Sequence, residues 1–130
     1  MPVSDKPLVL CIEDDADVRT LLDYQLQDGF DVLFAKDGRE GVRAAILHRP
    51  DLIVMDLMLP RVDGVRATEM IRSIRALRYQ PLIGLTAAPR NLQDKALAAG
   101  CDRVLEKPAQ NLAQVLWEVL HEHGRAAAST

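Results

Sequence analysis

No apolar run in the 130-residue chain approaches the roughly 18 residues that a membrane span needs. The opening Met1-Pro2-Val3-Ser4-Asp5-Lys6 also lacks the apolar stretch of a secretory signal. These two absences predict a soluble, cytoplasmic protein that does not engage a membrane. Cysteine is scarce as well. Cys11 and Cys101 are the two present, with no Cys-x-x-Cys spacing, so packed reduced thiols are expected in place of a bridge or a zinc site. There is no excess of positive charge: sixteen Lys and Arg face nineteen Asp and Glu, a net charge of -3, which argues against a surface built for nucleic acid. What is plentiful is apolar material, 48% of the residues. A single domain of this length hides about two-thirds of its unfolded surface and needs neither disulfide nor structural metal.

Short apolar runs alternate with longer stretches of helical period. Leu8–Ile12 reads as a strand buried on both faces, as in a parallel sheet covered by helices. From Ala16 to Gln27, Val18, Leu21, Leu22 and Leu26 form a helical stripe that Gly29 ends. Phe30–Phe34 reads as a second strand. Gly38–Leu47 reads as a helix with Val42, Ala45 and Ile46 inward, stopped by Pro50. Leu52–Met55 is a third strand ending on Asp56, and Gly64–Leu77 a helix burying Ala67, Met70, Ile71, Ile74 and Leu77. Leu82–Leu85, a helix over Asn91–Ala99 closed by Gly100, Arg103–Leu105 and a helix over Gln110–His123 complete the pattern. Five strand-helix units predict an α/β fold, a doubly wound five-stranded parallel sheet with helices on both faces; an eight-stranded barrel needs about twice the length. Residues 1–6 and 124–130 are expected as tails around a domain spanning 7–123.

Ligands of open α/β sheets bind beyond the carboxyl ends of the strands. Strand one runs into Glu13-Asp14-Asp15, strand three into Asp56, strand four into Thr86, and strand five is followed by Lys107-Pro108. Carboxylates converging on one edge repel unless their pKa values rise or a cation joins them, and a hard ion such as Mg²⁺ suits an all-oxygen donor set. A lysine and a hydroxyl on the same edge are what a phosphoryl group takes as partners. Each residue alone has a plainer role. Asp15 is expected to cap the first helix, and Glu13 and Asp14 divide evenly between cap and ligand. Thr86 alone is a strand-end hydroxyl, and Lys107 alone a solvated lysine. Asp56 resists such an explanation, because a carboxylate ending a buried strand is costly without a partner.

The segments Val9-Leu10-Cys11-Ile12-Glu13-Asp14-Asp15, Pro50-Asp51-Leu52-Ile53-Val54-Met55-Asp56-Leu57-Met58-Leu59-Pro60 with Asp63-Gly64, Leu85-Thr86-Ala87 and Glu106-Lys107-Pro108 occur in that order. In content and spacing they resemble the receiver (phosphoacceptor) domains of two-component response regulators, of the single-domain chemotaxis type, over about residues 7–123. The resemblance implies a flavodoxin-like (βα)5 fold with strand order 2-1-3-4-5. It implies that Asp56 accepts a phosphoryl group from a histidine kinase or a histidine phosphotransfer protein. Mg²⁺, with Mn²⁺ as a substitute, would be held by Asp14, Asp56 and the Met58 backbone carbonyl, and by Glu13 through water. Lys107 would pair with the phosphoryl oxygens, Thr86 would swing to bond them, and Ala87 would leave them room. Pro60 and Gly64 would shape the acceptor loop, and the Lys107–Pro108 bond would be cis.

Two positions depart from the family pattern. Val104 stands where an aromatic switch residue is usual, and Ala109 where Phe is common. Valine has few rotamers and no ring to move, so the signal is expected to run through the Thr86–Asn91 loop and the helix after it. Trp117 lies off the apolar stripe of the last helix formed by Leu112, Val115, Leu116, Val119 and Leu120, and is a candidate interface anchor. Arg66, Arg72, Arg75 and Arg78 read as a solvated basic face, and His48, His121 and His123 as surface residues. The expected output is a phosphorylation-dependent contact with another protein, or a homodimer through the last helices, from a stand-alone receiver. Two other readings compete. A haloacid-dehalogenase-like phosphatase shares the aspartate, metal, threonine and lysine but needs an acid at position 58, which is Met. A flavodoxin-like nucleotide or flavin binder needs a phosphate cradle where Glu13-Asp14-Asp15 stands.

Overall fold

A computed structural model describes residues 5–59 and 62–128. Five strands and five helices alternate: β1 (Leu8–Ile12), α1 (Ala16–Leu26), β2 (Asp31–Ala35), α2 (Gly38–His48), β3 (Leu52–Asp56), α3 (Gly64–Ser73), β4 (Leu82–Thr86), α4 (Pro89–Ala99), β5 (Arg103–Glu106) and α5 (Leu112–Ala128). All pairings are parallel, in the order β2-β1-β3-β4-β5. The doubly wound sheet read from the sequence is therefore the fold. Pro60 lies outside the described residues. No helix among the described residues is long and apolar enough to cross a membrane.

Two-sided strands give the molecule two half-cores. Leu10, Ile12, Ile53, Met55 and Leu82 face Val42, Ala45, Ala67, Ile71 and Ala96 of α2, α3 and α4. Val9, Cys11, Leu52, Val54, Ile83 and Leu85 face Leu22 and Leu26 of α1 and Leu112, Val115, Leu116 and Val119 of α5. Alternate residues of one strand thus serve opposite helix layers, which is why β1 is apolar throughout and β3 and β4 carry no polar residue until their last positions. Both cysteines are free and buried, and burial pushes the Cys101 thiol up to about 11 and Cys11 higher still. Gly41 lets α2 lie close on β1, since a Cβ there would stand 2.4 Å from Ile12 Cδ1.

Several sequence readings shift. Phe30 donates its N–H to Leu26 O at 2.9 Å as part of the turn leaving α1, so β2 begins at Asp31. Helix α4 starts at Pro89 rather than Asn91, because proline suits a first helical turn, where no N–H is needed. The third helix breaks at Ile74 (φ -87°, ψ 120°), and a 3-10 turn over Arg75–Leu77 then buries Leu77. Helix α5 continues through Ala128 into the expected tail, as suits a run of alanines. Ile46 and Leu21, read as inward, are 50% and 44% exposed, since the flanking Val42, Ala45, Leu22 and Leu26 already fill the space under the helices.

Arg72 corrects the reading of a solvated basic face. Its guanidinium donates to Gly100 O at 3.0 and 2.7 Å, to Leu77 O at 3.1 Å and to Gln80 O at 2.6 Å, and pairs with Asp102 at 3.4 Å. Asp102 in turn accepts the Leu82 N–H at 2.8 Å. Arg72 therefore ties the end of α3 to the turns before β4 and β5. Trp117 is only half free: its ring packs on Phe30 at a centroid distance of 4.9 Å, and it lies against Gly29.

Candidate functional site

The parallel sheet delivers Glu13, Asp56, Thr86 and Lys107 to one edge because β1, β3, β4 and β5 all end there. Asp15 separates from its neighbours. Its side chain accepts the Asp17 N–H at 2.8 Å and the Val18 N–H at 3.1 Å, the expected cap of α1. Glu13 and Asp14 are not caps. Oxygens of Glu13, Asp14 and Asp56 lie within 4.8 Å of one another, Glu13 and Asp56 being buried and Asp14 exposed.

Lys107 bridges the two buried acids. Its Nζ lies 2.6 Å from Glu13 Oε1 and 3.3 Å from Asp56 Oδ2. Burial pulls the lysine pKa down, but the bond to Glu13 and the charges of Asp56 and Glu13 outweigh that and raise it. Burial raises Glu13; the Lys107 bond opposes the rise and the Asp56 carboxylate adds to it, so the net direction is up. One ammonium among three carboxylates leaves the cluster two positive charges short.

The loop after Asp56 is held by backbone. Met58 donates its N–H to Asp56 Oδ1 at 3.0 Å, while its side chain is 62% exposed. Leu57 donates to Leu85 O at 2.9 Å and accepts from Gly64 N at 3.3 Å. A Cβ at Gly64 would meet Asp56 O at 2.2 Å, so glycine is what allows α3 to start directly behind Asp56. Thr86 is fully buried; its Oγ1 accepts the Ala88 N–H at 3.0 Å, and its carbonyl accepts the Lys107 N–H at 2.9 Å. Ala87 is exposed beside it. Lys107–Pro108 is cis. Val104 is partly buried against the α2/α3/α4 core, and Ala109 against the other.

Arg19 was absent from the sequence reading. Its Nη1 donates to Glu13 O at 3.0 Å and Asp14 O at 2.9 Å, placing a guanidinium behind the acidic turn. The signal available in the sequence was its position one turn into α1, close behind the Glu13-Asp14 pair.

A parallel sheet in this order, with three acids, a lysine and a buried threonine gathered on its carboxyl edge, defines a receiver. The family model for the response regulator receiver domain matches residues 9–117, and the chain belongs to that family. Its relatives are response regulators of two-component systems. The alkaline phosphatase synthesis transcriptional regulatory protein PhoP of Bacillus subtilis is 37% identical over 103 residues, covering 77% of this chain and 42% of that protein. The transcriptional regulatory protein PdtaR of Mycobacterium tuberculosis is 41% identical over 103 residues, covering 77% and 49%. The chain thus spans about half the length of the curated relatives it matches. Among solved structures, the chemotaxis response regulator CheY4 of Vibrio cholerae is similar at 29% identity and TM-score 0.81, covering 88% of this chain and 98% of that one. The receiver domain of sensor histidine kinase PA1611 from Pseudomonas aeruginosa is similar at 34% identity and TM-score 0.79, covering 90% and 96%, and has a magnesium ion coordinated in its active site cleft.

Proposed function

We propose that Asp56 is the phosphoacceptor of a two-component phosphorelay. The observation that carries this is Asp56 itself, a buried carboxylate at the end of the central strand, 3.3 Å from Lys107 and grouped with Glu13 and Asp14. Its Oδ attacks phosphorus of a phosphohistidine on a kinase or phosphotransfer protein. The P–N bond breaks with its electron pair leaving on the imidazole, which takes up a proton, and an acyl phosphate forms on Asp56. The donor set is all oxygen and short of positive charge, which fits Mg²⁺, with Mn²⁺ as a substitute. Bound there, the ion neutralises charge shared between nucleophile and phosphoryl oxygens.

Asp14, Asp56 and the Met58 carbonyl are the direct ligands in this reading. Glu13 acts through water, which suits a carboxylate already engaged by Lys107 at Oε1 and by the Asp15 N–H at Oε2, 3.3 Å away. Lys107 transfers its ammonium contact to the phosphoryl oxygens. Thr86 gives up the Ala88 N–H and turns its hydroxyl to the same oxygens, Ala87 leaving room beside it. The protein works in the cytoplasm, and its output is a contact with a downstream protein or a second copy through the last helices, with Trp117 as an anchor.

Acetyl phosphate with Mg²⁺, followed by intact mass, tests the assignment. One phosphoryl adduct is expected on the wild type and none on Asp56→Asn; an adduct persisting in the variant overturns it. With Val104 in place of an aromatic, the phosphorylated state is read out through the turn after Thr86 and through α4, whose first turn holds Asn91. Amide chemical shifts are expected to change through residues 86–106 on phosphorylation, and changes confined to the neighbourhood of Asp56 refute that route.

A further inference from the structure

The turn between β1 and α1 carries two of the three clustered carboxylates, yet its own backbone is poorly held. Glu13 N donates to Ala35 O and Asp15 O accepts the Arg19 N–H, but no backbone N–H among the described residues takes the carbonyls of Glu13 or Asp14. Both are taken by one atom, Arg19 Nη1, at 3.0 and 2.9 Å. Bonds from a cationic donor are stronger than neutral ones, and two carbonyls sharing one nitrogen must point the same way. With the carbonyls fixed on the Arg19 side, the turn has little freedom left in where it aims the Glu13 and Asp14 side chains. Arg19 also places positive charge behind the turn without spending it on a carboxylate, so it braces the acids and leaves their oxygens available.

We propose that Arg19 is a positioning residue for the cation site, holding the β1–α1 turn in the conformation that brings Asp14 and Glu13 to Asp56. This rests on the metal reading given above. Outer partners that orient metal ligands contribute about 10- to 100-fold in affinity. Arg19→Met keeps the length of the stem and removes both bonds, so its Mn²⁺ dissociation constant, read from free Mn²⁺ by electron paramagnetic resonance, is expected to rise at least about tenfold. Phosphorylation of this variant by acetyl phosphate is expected to be slow at low Mg²⁺ and to reach the wild-type rate at saturating Mg²⁺.

A dissociation constant within twofold of wild type overturns the proposal. So does a rate that saturating Mg²⁺ fails to restore, which would mark Arg19 as merely structural. If circular dichroism shows Arg19→Met to be unfolded, Arg19→Gln decides: its shorter amide reaches one carbonyl at most. A rise of at least about threefold is then expected, and wild-type affinity overturns the proposal. Wild-type protein that binds no Mn²⁺ defeats the metal reading and this inference together, whereas tight wild-type binding with unchanged variants defeats this inference alone.

Discussion

Two charged clusters lie half-hidden in this molecule, and they are put together differently. Around Arg72, one guanidinium meets three backbone carbonyls and one carboxylate, every hydrogen bond lies within the protein, and charge is balanced by Asp102. Around Asp56, three carboxylates meet one ammonium. The first arrangement is complete and joins elements of the fold. The second is incomplete and becomes balanced only when something positively charged arrives. The balanced cluster works within the fold, and the unbalanced one is open to a positively charged ligand.

The contrast can be broken from either side. The largest effect is expected at the balanced cluster. Arg72→Met strips donors from Gly100, Leu77 and Gln80 carbonyls and should lower the unfolding free energy by about 3 kcal/mol in urea titration. It should leave the Mn²⁺ dissociation constant unchanged; a shifted constant would show the clusters to be coupled.

Next in size is the response of the unbalanced cluster to its missing charge. Mg²⁺ at 100 times its dissociation constant should raise the unfolding free energy by about 2.7 kcal/mol. The gain should vanish in Asp56→Asn, and a wild-type melting temperature indifferent to Mg²⁺ contradicts the scheme.

The smallest effect concerns Glu13, whose pKa is held above the ordinary 4.5 by burial and Asp56. Between its unfolded and folded values the folded state binds more protons, so stability must fall as pH rises through that window. In EDTA the slope of melting temperature above pH 4.5 should therefore be more negative in wild type than in Glu13→Gln, contributing at most about 1.4 kcal/mol per pH unit. Equal slopes refute the assignment.

Much of this was legible from residues alone, for identifiable reasons. β1, β3 and β4 are buried on both faces, so their apolar runs stood out, and the polar residue ending β3 and β4 marked the functional edge. Asp15 followed from cap chemistry. Glu13 and Asp14 could not be told from caps until the fold turned them toward Asp56. Arg72 and Arg19 escaped because their work is done on backbone carbonyls, which leave no mark in a pattern of side chains. Ile46 was misread because helical period defines a stripe but not its width.

The bond from Lys107 to Glu13 joins residues 94 positions apart. During synthesis, then, Lys107 is added only after nearly the whole domain has been made, although all three acids have been made once β3 is complete. A nascent chain exposes uncompensated acids first and the group that tempers them last. On the proposed reading of Asp56 as phosphoacceptor, a partial chain that stops short of β5 lacks the ammonium that the phosphoryl oxygens would meet.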